Sequence, residues 1–127
     1  MGRKRGGVGE MKTFLICPVR GHDPDEQLQV VRQLEVEGWT VHFPPRDTDQ
    51  NDSTGLRICT DNRAAIESAD IIHVVWDGKS QGSLFDLGMA FALRKPLRIV
   101  LIPDPTEGKS FQNMMRQWEH ENTSNAD

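Results

Sequence analysis

The sequence predicts an α/β fold, specifically a flavodoxin-like three-layer sandwich with a parallel sheet of four to five strands. Short apolar runs alternate with helical patterns of ten or more residues, which is typical of parallel strands joined by right-handed crossovers. The run IIHVVW at 71–76 is almost entirely apolar, as expected for a strand that helices cover on both faces.

Length and composition favour one soluble globular domain. The chain has 127 residues, of which 36% are hydrophobic and 27% charged. A net charge of −4 argues against a nucleic-acid partner, and no apolar run approaches the ~20 residues of a membrane span. Cys17 and Cys59 stand far apart without metal-ligand spacing, so we expect reduced thiols, a cytoplasmic location, no metal and no cofactor.

Three segments are predicted along the chain. Residues 1–12 mix glycine with the basic cluster Arg3-Lys4-Arg5 and have no periodicity, so they are expected to form a flexible arm. Residues 13–120 form the folded domain, and residues 121–127 form a frayed tail.

The first strand is TFLIC at 13–17, followed by the loop PVRGHD. A helix then begins with Asp23 as N-cap, Pro24 at the first helical position and Glu26 completing a capping box. Gly38 fits the position just after its end. The second strand is WTVHF at 39–43.

A polar, turn-rich loop follows at 44–53, and loops of this length are often functional. The next helix is predicted from Ser53 or Thr54 to Ala69. Its expected core contacts are Leu56, Cys59, Ile66 and Ala69.

The helix after strand 71–76 is predicted at 82–94 and is apolar on two stripes. One stripe holds Leu84, Leu87 and Phe91, and the other holds Phe85, Met89 and Ala92. Only one stripe can cover the sheet, so the other predicts a helix–helix contact in a homodimer. Strand 97–102 and a final amphipathic helix opened by Ser110 complete the domain, with strand order 2-1-3-4.

In such sheets the ligand lies at the carboxyl ends of the strands, beside the point where strand order reverses. The segment 77–83 joins a strand to a helix N-terminus there, where free N–H groups favour an anion. The hydroxyls of Ser80 and Ser83 can donate hydrogen bonds to a phosphate, or either serine can be a simple N-cap.

Asp86 is a carboxylate among apolar neighbours in this helix, and two interpretations are open. It can pair with Ser83 as a capping box, or it can act as a partly desolvated nucleophile or base. The other candidates at the ligand edge are Asp47, Asp61, Asp77, Arg20 and Arg46. His22, His42 and His73 are scattered without triad or metal spacing, and His73 is expected in the core or an interface.

Three segments resemble the nucleoside 2-deoxyribosyltransferase family, including its branch of deoxynucleoside 5′-monophosphate N-glycosidases. They are FLICPVRG at 14–21, a helical Asp61 ahead of Ala69-Asp70-Ile71-Ile72, and GSLFDLGMAFALRKP at 82–96. The resemblance runs from about Thr13 to Pro103, and the third segment is its most specific part.

The resemblance implies glycosyl chemistry on a small nucleoside or nucleotide. Asp86 matches the family's nucleophile, Asp61 the acid that assists near the leaving base, and Ser80 the serine that contacts the 5′-phosphate. The implied substrate-binding residues are Cys17, Arg20, Gly21, Asp77, Ser80, Gly82 and Ser83. Neither a membrane nor a nucleic acid is expected as a partner.

Two features depart from that family. The acid before Leu-Gly is Asp86 where the family has Glu, and the chain contains no tyrosine, which family sites place near the nucleophile. His22 is a candidate to take the place of the tyrosine. The alternative hypothesis is a non-catalytic nucleotide-binding or signalling module on the same fold.

Overall fold

The computed structural model describes residues 10–125, with side chains described to residue 122. The cluster Arg3-Lys4-Arg5 lies outside the described residues. The elements in chain order are β1 (Lys12–Ile16), α1 (Pro24–Val36), β2 (Thr40–His42), α2 (Pro44–Asp47), α3 (Leu56–Ser68), β3 (Ile71–Val75), α4 (Gln81–Ala92), β4 (Leu97–Leu101) and α5 (Phe111–Asn125).

The four strands in the described part of the chain form one parallel sheet in the order β2-β1-β3-β4. This confirms the predicted fold class and strand order. Strand order reverses between β1 and β3, where Phe14 lies opposite Ile72 and Ile16 opposite Val74. The carboxyl ends of β1 and β3 therefore diverge into two loops that flank one crevice.

Two apolar cores cover the two faces of the sheet. Successive residues of one strand enter different cores, because their side chains point to opposite faces of the sheet. Phe14 and Ile72 pack with Leu87 of α4 in one core, whereas Leu15 packs with Val31 of α1 in the other. Helices on both faces explain why the strands read as continuous apolar runs.

The predicted N-cap and first residue of α1 are confirmed, whereas the Glu26 amide donates to the Asp23 carbonyl and not to the capping side chain. Asp23 is the N-cap and accepts a hydrogen bond from the Asp25 amide at 2.9 Å, with Pro24 at the first helical position. Gly38 follows the C-cap with φ 103°, a conformation that glycine adopts without steric cost.

The loop after β2 contains a one-turn helix, α2, that was not expected from the sequence. Pro44 begins this turn, and the Asp47 carboxylate accepts a hydrogen bond from the Phe43 amide at 2.8 Å. Farther along, Asp52 accepts hydrogen bonds from the amides of Thr54 and Ile58. This side-chain turn delays the start of α3 to Leu56.

The prediction that Leu56 is a core contact is wrong, since its side chain is 74% exposed. Leu56 is the first residue of α3 and lies off the buried stripe that Asn62 and Ile66 form at i, i+4 spacing. Ile66 and Ala69 are buried as predicted.

Helix α4 buries Leu87 against the sheet but leaves Phe85 and Phe91 more than half exposed. Phe91, which the sequence places on one stripe with Leu87, is therefore not buried with it. Phe91 instead packs edge to face against Trp118 of α5, with ring centroids 5.4 Å apart. Phe85 stays in water as the two-stripe pattern predicts, and the homodimer stays a prediction.

The ends of the domain differ in detail from the predicted segments. β1 begins at Lys12, whose amide donates to Asp70 at 2.7 Å, so the sheet reaches into the predicted arm. Helix α5 continues to Asn125 through most of the predicted tail. No helix within residues 10–125 is long and apolar enough to cross a membrane.

The burial of α3 makes a direct prediction. Ile66→Ala should lower the free energy of unfolding by about 2–4 kcal/mol, because a fully buried side chain is removed from a packed core. Leu56→Ala on the same helix is the matched control and should change it by less than about 0.5 kcal/mol. Urea unfolding followed by circular dichroism measures both, and equal losses would contradict the assigned helix face.

Candidate active site

A cleft of about 750 Å³ opens at the carboxyl ends of the strands, beside the reversal of strand order. The segments that follow β1, β2 and β3 all contribute to it, as predicted from the topology. Its polar lining residues are Cys17, Arg20, His22, Gln50, Cys59, Asn62, Asp77, Lys79, Ser80, Gln81, Ser83 and Asp86.

Asp77 organises the loop that leaves β3. One carboxylate oxygen accepts hydrogen bonds from the amides of Lys79 and Ser80, both at 2.8 Å. The other lies 2.9 Å from His22 Nε2. Burial opposes the charge, but these donors hold the pKa of Asp77 below its usual value. Asp77 is thus a turn former that also holds a histidine in the cleft.

Helix α4 begins at this loop with Ser80 as its N-cap. The Ser80 hydroxyl accepts from the Ser83 amide at 3.2 Å and from the Ser83 hydroxyl at 2.9 Å. The Trp76 indole N–H donates to the Ser80 carbonyl at 3.1 Å and ties the cap to the end of β3. Because Ser80 and not Ser83 is the N-cap, Asp86 lies in the second helical turn, and the capping-box interpretation of Asp86 is excluded.

The first turn of α4 presents free amide donors to the cleft. The amides of Gln81 and Gly82 occupy first-turn positions, where a helix offers no carbonyl partner. Arg20 and Lys79 add exposed positive charges to the cleft lining. Outside the adjoining residues and backbone of α4 itself, no described atom lies within 4 Å of the point where a Cβ on Gly82 would stand.

Asp86 points from α4 into the cleft and is half-buried. Burial raises the pKa of its carboxyl to about 7, and a hydrogen bond from the Asn62 side chain opposes that rise. The carboxylate therefore exchanges its proton near neutral pH, as nucleophiles and bases of enzymes do.

Asn62, and not the predicted Asp61, reaches the cleft from α3. Asp61 does not line it: this carboxylate is half exposed and pairs with Arg57 at 2.8 Å, one helical turn away. Asn62 is one position along the helix and only 5% exposed. The sequence carried a signal, since Asn62 precedes the buried Ile66 by four residues and a polar residue on a buried face needs a partner.

The two thiols lie beside Asp86. Burial and the charge of Asp86 raise the pKa of Cys17 to about 12, and the same two causes, together with Asp52, raise the pKa of Cys59. Cys17 is buried, whereas Cys59, a predicted core contact, is partly exposed in the cleft. Both thiols stay protonated and supply a weakly polar wall near the carboxylate.

Other predicted site residues lie elsewhere. Gly21 does not line the cleft; it shapes the loop after β1 with φ 77°. Arg46 pairs with Asp47 and Glu35 and donates to the Val41 carbonyl.

His73 is a core residue, as expected, and its Nδ1 lies 2.6 Å from the Thr13 hydroxyl. In the described residues, no three His, Cys, Asp or Glu side chains come together as metal ligands.

The desolvation of Asp86 makes stability depend on pH. The pKa of Asp86 is higher in the folded protein than in the unfolded chain. The contribution of this carboxyl to the free energy of unfolding is therefore fully present below about pH 4 and is lost as pH rises through about 7. Asp86→Asn should therefore be more stable than wild type by about 1–3 kcal/mol at pH 8 and nearly equal to it at pH 4.

Urea titrations at the two pH values measure the difference. Asp61→Asn is the control because its carboxylate is solvated, and it should shift stability by less than about 0.5 kcal/mol. A stability gain for Asp86→Asn that is equal at both pH values would contradict the assigned environment.

Comparison with known proteins places the fold. The structure is similar to that of a 2-deoxyribosyltransferase from the psychrotolerant bacterium Bacillus psychrosaccharolyticus, with a TM-score of 0.63. The match covers 87% of this chain and 90% of that one at 18% sequence identity, so the likeness is one of fold. No protein-family model matches the sequence. No curated protein matches it either.

Proposed function

We propose that this protein cleaves or transfers at the N-glycosidic bond of a 2′-deoxynucleoside or its 5′-monophosphate, with Asp86 as nucleophile. The observation that carries the proposal is a half-buried carboxylate, hydrogen-bonded by Asn62, in a cleft beside a helix N-terminus. The fold neighbour is a 2-deoxyribosyltransferase, which supports glycosyl transfer as the class of chemistry.

In the proposed reaction an Asp86 oxygen attacks the anomeric carbon as the bond to the base breaks. The electron pair of that bond goes to the base nitrogen, which takes up a proton, and a glycosyl ester forms on Asp86. Water then attacks the anomeric carbon, and the C–O bond to Asp86 breaks. The deoxyribose leaves, Asp86 regains its carboxylate, and the proton of the water returns to the group that protonated the base, which gives hydrolysis. A second base in place of water gives transfer.

His22 is the residue we propose to move the proton at the leaving base. Asp61, which matches the family's helper acid, lies outside the cleft, and the chain has no tyrosine. His22 lines the cleft, and its Nε2 donates to the Asp77 carboxylate, so Nδ1 supplies the proton to the leaving base when both ring nitrogens are protonated.

The first turn of α4 is the proposed phosphate site. The hydroxyl of Ser80 already accepts two hydrogen bonds, so its own hydrogen is what it offers to a ligand. Arg20 and Lys79 supply charge, and the amides of Gln81 and Gly82 supply donors. Ser83 is buried and supports Ser80 through its hydroxyl.

The activity is tested by incubating the protein with each deoxynucleoside monophosphate and detecting free base. Wild type should release base and Asp86→Ala should lose at least about 10³-fold in kcat, because the nucleophile is gone. Since the ionised carboxylate attacks, kcat/KM should rise about tenfold per pH unit below a pH near 7.

Asp61→Asn is the control and should keep activity within about threefold, because Asp61 lies outside the cleft. Binding of nucleotide without base release would instead support the non-catalytic module. Loss of activity in Asp61→Asn would restore the helper role that the sequence predicts.

The phosphate site is tested with two glycine variants of α4. Gly82→Ala adds a methyl group that meets no atom within 4 Å outside the adjoining part of α4. It should therefore fold normally but obstruct the phosphate and raise KM for the monophosphate about tenfold or more. Gly88→Ala is matched, since its position is equally open but lies outside the cleft, and KM should not change. Equal KM values for both variants would place the phosphate elsewhere.

A further inference from the structure

We propose that Thr48 and His42 are positioning residues: a hydrogen-bond chain from strand β2 through Thr48 orients Asn62, and Asn62 in turn orients Asp86 in the cleft. The catalytic meaning of this chain rests on the proposed function. Its existence as a positioning device for the carboxylate does not, because the ionisation of Asp86 can be measured without substrate.

The first two links of the chain are short. His42 Nε2 lies 2.8 Å from the Thr48 hydroxyl, and that hydroxyl donates to Asn62 Oδ1 at 2.8 Å. Asn62 and Asp86 both line the cleft, and hydrogen bonding by the Asn62 side chain lowers the pKa of the Asp86 carboxyl. Thr48 and Asn62 are each only 5% exposed, so water competes little for these bonds.

Opposite an ionised Asp86, the donors and acceptors fit in one direction. A hydroxyl has a single hydrogen, and Thr48 gives it to Asn62 Oδ1, so His42 donates from Nε2. With Oδ1 occupied as an acceptor, the Asn62 amide nitrogen is the atom that donates to Asp86. A flipped amide would place its oxygen against the carboxylate, and that contact is unfavourable.

The outer end of the chain is held in place. The His42 ring stacks on Phe14 with centroids 5.1 Å apart and an interplanar angle of 10°. The Thr48 amide donates to the Pro44 carbonyl at 3.0 Å, and Gln50 Nε2 donates to the carbonyls of both Pro44 and Thr48. These bonds fix the polar loop after β2 in a conformation in which the Thr48 hydroxyl contacts Asn62.

His42 does not itself act as a pH switch for this chain. Burial lowers its pKa; Asp47 and Asp61 act in the opposite direction and Arg46 acts with burial. Both the neutral tautomer with a proton on Nε2 and the imidazolium donate to Thr48, so protonation of His42 keeps the link. A change in pH therefore acts on the proposed catalytic group through the ionisation of Asp86 itself, and not through His42.

Several polar groups on the surrounding elements interact with Asp86. Cys17 lies at the end of β1, and Cys59 and Asn62 lie on α3. The other titratable or charged groups that line the cleft are Arg20, His22, Asp77 and Lys79. Among them, Asn62 supplies the hydrogen bond that favours the ionised carboxyl. Loss of the correct Asn62 orientation should therefore raise the pKa at which Asp86 ionises.

The deciding variant is Thr48→Val, which keeps the side-chain shape and removes the hydroxyl. The readout is the pH titration of the Asp86 side-chain carboxyl by ¹³C NMR, assigned with Asp86→Asn. We expect the midpoint to move upward by about half a pH unit or more. The acid limb of kcat/KM should move with it, with about a three- to tenfold loss at pH 6.

Thr48→Ser keeps the hydroxyl and should restore the wild-type midpoint. Thr13→Val is the matched control: it removes another buried threonine hydroxyl bonded to a histidine, His73, outside the cleft. It should lose stability without moving the Asp86 midpoint. A merely structural role for Thr48 would make the two valine variants behave alike.

An unchanged Asp86 midpoint in folded Thr48→Val would overturn the proposal. If Thr48→Val does not fold, His42→Phe keeps a ring against Phe14 and removes the outer donor, and an unchanged midpoint there would overturn it equally. Absence of base release by wild type would sink the proposed function alone, since the NMR titration still decides whether the chain positions Asp86.

Discussion

The hydrogen bond between Asn62 and Asp86 is the contact on which the cleft depends. A carboxylate withdrawn from water is costly, and burial alone would keep it protonated at neutral pH. The amide of Asn62 limits that cost without adding an opposite charge, so the pKa stays near 7 and the group can exist in both forms under physiological conditions. A buried arginine or lysine in the same place would hold the carboxylate ionised and solvate it too well for it to attack a carbon atom.

The parallel sheet places the partners of this bond side by side. Asp86 belongs to the helix that follows β3, and Asn62 belongs to the helix that precedes it, so the two helices flank the same strand in the chain. The end of β1 adds Cys17 and the loop with His22, because β1 and β3 pair directly. A sheet with its strand order reversed at this pair assembles the cleft from segments far apart in the chain.

Much of the local structure serves to fix the beginning of α4. Asp77 ties down the amides of the loop, Ser80 caps the helix, and Trp76 holds the Ser80 carbonyl. These contacts keep first-turn donors facing the cleft and set the position of Asp86 one turn later. Rigid placement of this kind is what a reacting carboxylate needs, because small displacements are costly in rate.

Apolar periodicity and a charged group in an apolar helix are local signals, so the fold class and the strand order could be predicted from the sequence, and Asp86 could be singled out as a candidate. The sequence left open whether Asp86 belonged to a capping box, and only the observed N-cap at Ser80 decided that. The tertiary structure alone selected Asn62 over Asp61, since a helix turns about 100° per residue and only packing fixes which neighbour faces the cleft. Likewise, the contacts of Thr48 and His42 join residues from different elements, and such pairs exist only once the chain is folded.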